Sequence, residues 1–120
     1  MKIAVSSQGN SLEDPVDPRF GRAMRFLVFD TETSSLQVVD NMLSIKAAQG
    51  AGIQAAETLS RLGVEAVITG HCGPKAFRVL SAAGIKVFST DALTVAEALE
   101  RFRSGKLTGV QSADAERHWA

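Results

Sequence analysis

The sequence lacks the features that would mark a secreted, membrane or general nucleic-acid-binding protein. It has one cysteine, Cys72, so it cannot form an internal disulfide. Its 13 basic residues balance 13 acidic ones, so its charge indicates neither a nucleic-acid nor a membrane partner. No apolar run approaches the roughly 20 residues that span a bilayer, and the N-terminus leads into a strand pattern instead of a signal-peptide core. These absences predict a protein of the reducing cytoplasm.

The sequence also lacks an internal repeat and any sign of a second domain. At 120 residues the chain is long enough for one domain that folds without a disulfide or a structural metal. The segment GVQSADAERHWA near the C-terminus has no apolar period. We therefore predict a single domain over residues 1–107 and a mobile tail over residues 108–120.

The first half of the chain has the pattern of an antiparallel meander. Residues 2–6 (KIAVS), 25–30 (RFLVFD) and 36–41 (LQVVDN) are apolar and rich in β-branched side chains, as strands are. The polar segment TETSS joins the second and third of these runs and has the length of a hairpin loop. A long irregular loop separates the first run from the second.

After about residue 48 helices alternate with strands. Residues 52–62 carry apolar side chains at helical spacing and stop at Gly63, a residue type common at helix ends. Pro74 suits the first position of a second helix, which Gly84 ends, and Thr94 with Glu97 forms a capping pair for a third. The intervening strands are EAVIT (residues 65–69) and IKVF (residues 85–88).

These elements predict an α/β protein with the order β-β-β-α-β-α-β-α. Three antiparallel strands followed by two helix-linked parallel strands give a mixed five-stranded sheet with helices on both faces. The expected architecture is therefore a three-layer α/β/α fold of RNase H-like topology.

Three segments rich in glycine or small polar residues are expected at the carboxyl ends of the strands, where open α/β sheets bind ligands. They are SSQGN, AAQGAG and GHCGPK, and their backbone N–H groups can approach an anion closely. Lys75 and Arg22 would lower the cost of holding negative charge. The other candidate ligand-binding residues are Ser7, Gln8, Gly9, Asn10, Gly50, Ala51, Gly52, Gly70 and Gly73.

His71 and Cys72 are the candidate metal ligands. They directly precede a predicted helix start, whose positive dipole end is expected to make the Cys72 thiol more thiolate-like. The alternatives are a buried structural thiol beside a loop histidine, a cysteine-based enzyme, or a zinc site. A zinc site would need carboxylates or a second subunit, because the other histidine, His118, lies in the predicted tail.

Three further motifs carry less specific signals. GAGIQA at residues 50–55 imitates a dinucleotide fingerprint, but it lies ten residues past a strand and lacks the acidic residue expected further on. DPRFGRAMRF at residues 17–26 places arginines beside phenylalanines, as RNA-binding segments do. Packing of the phenylalanines and pairing of the arginines with Glu13, Asp14 or Asp17 explains it more simply. The sequence contains no G-x-S-x-G motif, so it gives no sign of a serine hydrolase.

Three segments together resemble one protein family. MKIAVSSQG, DPRFGRAMRF and the long block from Gly50 to Phe88 are similar to the dinitrogenase iron–molybdenum cofactor biosynthesis family. That family includes NifX, NafY, the C-terminal part of NifB and the orange protein of sulfate reducers. The resemblance covers about residues 1–105.

The resemblance implies an RNase H-like fold that holds a preformed metal–sulfur cluster without turning it over. The implied ligand is a molybdenum–copper sulfide, as in the orange protein, or an iron–molybdenum cofactor or its precursor. The implied protein partners are cluster donors and acceptors. The alternative is a regulatory protein that works with a partner ATPase and needs no cluster.

The sequence departs from the family pattern at Arg19, and His71 and Cys72 fall where the family varies. Arg19 stands where many members have histidine, so a ligand role at that position is lost here. His71 and Cys72 occupy the variable middle pair of the G-x-x-G-P-x-A motif. The chain also lacks the extra domains of the nitrogenase-specific members, which favours a stand-alone protein of the orange-protein type.

Overall fold

The computed structural model describes residues 1–42, 45 and 50–110. Its sheet has the strand order β3-β2-β1-β4-β5, in which β1, β2 and β3 pair antiparallel while β4 lies parallel to both β1 and β5. The predicted mixed five-stranded fold is therefore confirmed. The elements are β1 (Lys2–Ser7), β2 (Arg25–Asp30), β3 (Leu36–Asp40), α1 (Ala51–Arg61), β4 (Ala66–Thr69), α2 (Pro74–Ala82), β5 (Lys86–Ser89) and α3 (Val95–Arg103).

Strand β1 shows why the fold has three layers. Its side chains alternate between the two faces of the sheet, because successive residues of a strand point to opposite sides. Ala4 packs in a cluster with Leu59 of α1 and Leu80 of α2. Ile3 and Val5, which flank Ala4 and point to the opposite face, pack in a second cluster with residues of α3. Helices α1 and α2 thus cover one face, and α3 covers the other.

The helix ends follow the sequence signals. Gly63, Gly84 and Gly105 have φ values of 79°, 78° and 71°, the left-handed conformation that glycine adopts without steric cost. At the start of α3, the Thr94 Oγ1 accepts a hydrogen bond from the Glu97 N–H at 3.1 Å. The predicted capping pair is therefore confirmed.

The loop between β1 and β2 lies across the carboxyl ends of β1 and β4. The Asp17 N–H donates to the Ser6 carbonyl at 2.9 Å, and the His71 N–H donates to the Pro18 carbonyl at 2.8 Å. The Phe20 N–H donates in turn to the His71 carbonyl at 3.2 Å. These backbone bonds bring the DPRFGR motif against the turn that precedes α2.

The C-terminal part of the described chain lies beside β5. The Val110 N–H donates to the Val87 carbonyl at 2.8 Å, and Gly109 forms an isolated bridge with Phe88. Residues 108–110 therefore contact the domain, while the rest of the predicted tail lies outside the described residues. The boundary at residue 107 stays a prediction. In the parts of the chain that are described, no helix is long and apolar enough to cross a membrane.

Candidate anion-binding site

A cavity of about 390 Å³ lies where the first turns of α1 and α2 meet the loop before β2. This position matches the expectation that a ligand would sit where turns lead into helix starts. Six of the predicted ligand-binding residues line it: Arg22, Gly50, Ala51, Gly52, Gly73 and Lys75. The other lining residues are Gly21, Ile53, Pro74 and Ala76.

Both helices enter this cavity without a side-chain cap. Gly50 and Gly73 occupy the N-cap positions of α1 and α2, and neither helix has an acidic residue in its first turn. The first N–H groups of a helix have no acceptor within that helix, and its dipole places partial positive charge there. Two such helix ends at one cavity favour a bound anion.

Two cationic side chains add to this positive potential. Arg22 and Lys75 line the cavity and are exposed. Among the described residues, no carboxylate lies within salt-bridge distance of either side chain. None of the ten described residues that line the cavity is acidic. The described wall of the cavity therefore carries positive charge that a ligand can neutralise.

Glycines allow the segments around the cavity to approach one another closely. A Cβ atom on Gly21 would lie 2.7 Å from the Gly52 Cα, and one on Gly52 would lie 2.9 Å from the Ala76 Cβ. The loop, α1 and α2 thus approach one another more closely than side chains would permit. This contact brings the two helix starts to the same cavity.

Asn41 fixes the loop that carries Arg22, a role that sequence reasoning missed. Its buried Nδ2 donates to the Gly21 carbonyl at 3.2 Å and to the Ala23 carbonyl at 2.8 Å. The sequence placed Asn41 at the end of a strand, where a polar residue usually means a turn. Nothing in the local pattern indicated a contact with a loop some 20 residues earlier.

A second cavity of about 420 Å³ adjoins the first. The two share Gly21, Arg22 and Gly73, and His71 lines the second cavity with its side chain exposed. Arg19 lines it too, and its Nε lies 3.5 Å from the buried Asp17 Oδ1. The structure therefore places the predicted histidine ligand next to the main cavity but outside its wall.

Cys72 faces the interior. Its side chain is 0% exposed and packs in the cluster that contains Phe20 and Phe77. Burial raises the pKa of the Cys72 thiol to about 12. The expectation that the helix dipole makes this thiol thiolate-like is therefore wrong, because burial disfavours the charged thiolate.

The remaining metal prediction concerns a closed zinc site. Across residues 1–42, 45 and 50–110 there is no group of three His, Cys, Asp or Glu side chains placed to hold a metal ion. His118, the other histidine of the sequence, lies outside the described residues. Within the described chain, the structure offers nothing in favour of a tetrahedral site.

The segment at the end of β1 lines neither cavity. It consists of Ser7, Gln8, Gly9 and Asn10. The Gln8 N–H donates to the Pro15 carbonyl at 3.0 Å, and the Gly9 N–H donates to the Ser7 Oγ at 3.1 Å. The Asn10 side chain accepts a hydrogen bond from Arg25. Two N–H groups expected to face an anion are thus already used within the loop, and the ligand role of this segment stays a prediction.

Gly70 is also separate from the main cavity. A Cβ atom there would lie 2.5 Å from the Pro18 Cα, so the close approach of two backbones explains the glycine. The Gly70 carbonyl accepts a hydrogen bond from the Ser89 Oγ at 2.9 Å. In this structure Gly70 joins the DPRFGR loop to β4, and its predicted contact with a ligand remains a prediction.

The DPRFGRAMRF motif has the packing that the sequence favoured. Phe20 and Phe26 are buried, with ring centroids 5.2 Å apart. Arg19 pairs with Asp17, as expected of an arginine in this cluster. The phenylalanines are therefore part of the core and are not available to stack on bases.

Comparison with known proteins gives matches over most of the chain. The family model described as dinitrogenase iron-molybdenum cofactor matches residues 1–105. An uncharacterized protein of Methanocaldococcus jannaschii is 30% identical over 110 residues, which are 89% of each chain. The apo form of the orange protein from Desulfovibrio gigas has a TM-score of 0.88 and 45% identity, covering 91% of this chain and 92% of that one. A Thermotoga protein proposed to be NifB has a TM-score of 0.80 and 38% identity, covering 90% and 91%.

Proposed function

Because the chain belongs to the dinitrogenase iron–molybdenum cofactor family, we propose that it binds an anionic metal–sulfur cluster between the starts of α1 and α2. We further propose that it carries the cluster without turnover chemistry. One observation carries this proposal. Two uncapped helix starts and two cationic side chains meet at one cavity, and none of the described residues that line it carries a carboxylate.

The proposed mechanism is anion capture by the backbone. Sulfide edges of the cluster accept hydrogen bonds from N–H groups in the first turns of α1 and α2, while Arg22 and Lys75 neutralise charge at the rim. Each hydrogen bond to a charged group is worth roughly 1.5–3 kcal/mol. The folded helices already fix these donors, so binding requires little reorganisation of the protein.

Burial and exposure favour one of the two predicted ligands, His71, for direct bonding to a metal. His71 is exposed and lines the adjoining cavity, so its imidazole can reach a metal at the edge of a cluster. Cys72 would first have to leave the core and lose its proton. We therefore propose that N–H donors and cations supply most of the affinity, with His71 as the accessory metal ligand.

The proposed cargo is a molybdenum–copper sulfide. This choice rests on the 45% identity to the orange protein. The family resemblance in the sequence implied a molybdenum–copper sulfide, as in that protein. The family description makes an iron–molybdenum cofactor or precursor the alternative cargo. A cavity of about 390 Å³ falls within the range of about 300–1,000 Å³ common for small-ligand sites.

An anaerobic absorbance titration of the protein with tetrathiomolybdate, with and without Cu(I), tests this function. We expect saturable binding with new charge-transfer bands, weakened in an Arg22→Ala, Lys75→Ala double variant. His71→Ala separates metal ligation from anion capture, because it should change the bands more than the affinity. Absence of binding to these probes and to an iron–sulfur precursor would overturn the proposal.

Two alternatives from the sequence have less support. A cysteine-based enzyme needs an accessible thiolate, whereas Cys72 is buried with a raised pKa. A regulatory role with an ATPase partner stays a prediction, and no observation on the described residues favours it. A protein that stays colourless with every cluster but co-purifies with a nucleotide-binding partner would support that role.

A further inference from the structure

Neither the backbone conformation nor steric contact with the described residues requires glycine at position 73. Its φ of −62° and ψ of 161° are open to any residue, and a Cβ atom there would meet no atom of the described residues within 4 Å. The neighbouring glycines are different. Gly50 has a left-handed φ of 79°, while a Cβ atom on Gly21 or Gly52 would meet other atoms at 2.7–2.9 Å.

Gly73 also occupies the position at which a side chain would stabilise α2. Helix N-caps favour Ser, Thr, Asp and Asn, whose oxygens accept hydrogen bonds from the first turn. Helix α3 shows this arrangement, with Thr94 at a ψ of 160° and its Oγ1 bonded to the N–H three residues later. A serine at position 73 would have nearly the same ψ and could bond the Ala76 N–H.

We propose that Gly73 determines ligand binding by leaving the α2 N–H groups uncapped, so that the bound anion itself caps the helix. This inference rests on the proposed function and adds to it the group that competes with the ligand. The position of Gly73 in the wall of both cavities agrees with it, because an oxygen placed there would face the ligand. The ligand class is an anion with hydrogen-bond acceptors along one edge.

The test compares Gly73→Ser with Gly73→Ala and with the wild-type protein. Each is titrated anaerobically with tetrathiomolybdate plus Cu(I), and the melting temperature is measured without the probe. We expect Gly73→Ser to melt higher than wild type and to bind at least about tenfold more weakly, because one donor is used internally. Gly73→Ala adds bulk at the same place without a hydrogen-bond acceptor, so it should weaken binding clearly less than Gly73→Ser does.

Thr94→Ala is the matched control, because it removes a cap from a helix that lies on the other face of the sheet. It should lower the melting temperature and leave the affinity unchanged. Equal affinity of Gly73→Ser and wild type would overturn this inference, and so would equal weakening by serine and alanine. Failure of the wild-type protein to bind the probe would instead count against the proposed function.

Discussion

Replacement of Gly21 by alanine should loosen the contact between the DPRFGR loop and α1. The new Cβ would lie 2.7 Å from the Gly52 Cα and N atoms, about 0.7 Å inside the distance at which ordinary contacts begin. Neither side can move away easily. Asn41 holds the Gly21 carbonyl, buried Phe20 anchors the loop, and the opposing atoms belong to the backbone of a helix.

Overpacking of this kind costs roughly 1–3 kcal/mol of unfolding free energy. For a domain of this size that corresponds to a melting temperature lower by about 4–12 °C, since 1 kcal/mol shifts it by about 4 °C. The assay is thermal and urea unfolding of Gly21→Ala beside Gly109→Ala, where the nearest atom of the described residues would lie 3.9 Å from the new Cβ. If the two variants were equally stable, the close backbone contact would not be what requires glycine at position 21.

Three further changes test other parts of the structure. Arg22→Ala and Lys75→Ala should each weaken tetrathiomolybdate binding about fivefold and make the binding less sensitive to salt. Arg61→Ala, at the far end of α1, should have neither effect. Equal effects in all three titrations would refute the placement of the site. Because the pKa of Cys72 is raised from 9.0 to about 12, the unfolded chain loses the thiol proton first, so the thiol's contribution to stability is complete below pH 9 and is lost as the pH rises toward 12. Urea unfolding from pH 8 to 11 should show this loss, and Cys72→Ala should lack it; the same slope in both proteins would contradict the assignment. Asn41→Ala should lower the unfolding free energy by about 1–3 kcal/mol and also weaken the anion affinity, because it frees the loop that bears Arg22; unchanged binding would mean that this loop needs no such anchor.

The fold could be predicted because its signals are periodic and local. The apolar runs that predicted β2 and α2 end within one residue of the observed elements. The capping pair of α3 and the glycines that end α1 and α2 were also visible, since each depends on residues close in sequence. The mixed sheet was predicted from the change between a meander and helix-linked strands, whereas the order of its strands was first given by the structure.

The site could be predicted in part, because sequence position does not fix the direction of a side chain in a turn. Residues 50–52, Gly73 and Lys75 were expected near a ligand, since they open helices whose starts lie at the carboxyl edge of the sheet. His71 and Cys72 are adjacent, yet one is exposed and the other is in the core. Which of the two side chains is exposed depends on how the preceding loop packs, and no local pattern encodes that.

A cavity wall in which four of the ten described lining residues are glycines has a consequence for how relatives of this protein can diverge. Peptide N–H groups are the same whichever side chain they carry, so amino-acid exchange at the rim can alter charge and partner choice while the inner surface keeps its shape. The same wall tolerates added bulk poorly, since its closest contacts are at Gly21 and Gly52. We expect sequence drift in this fold to be broad around the mouth of the cavity and narrow where the backbones touch.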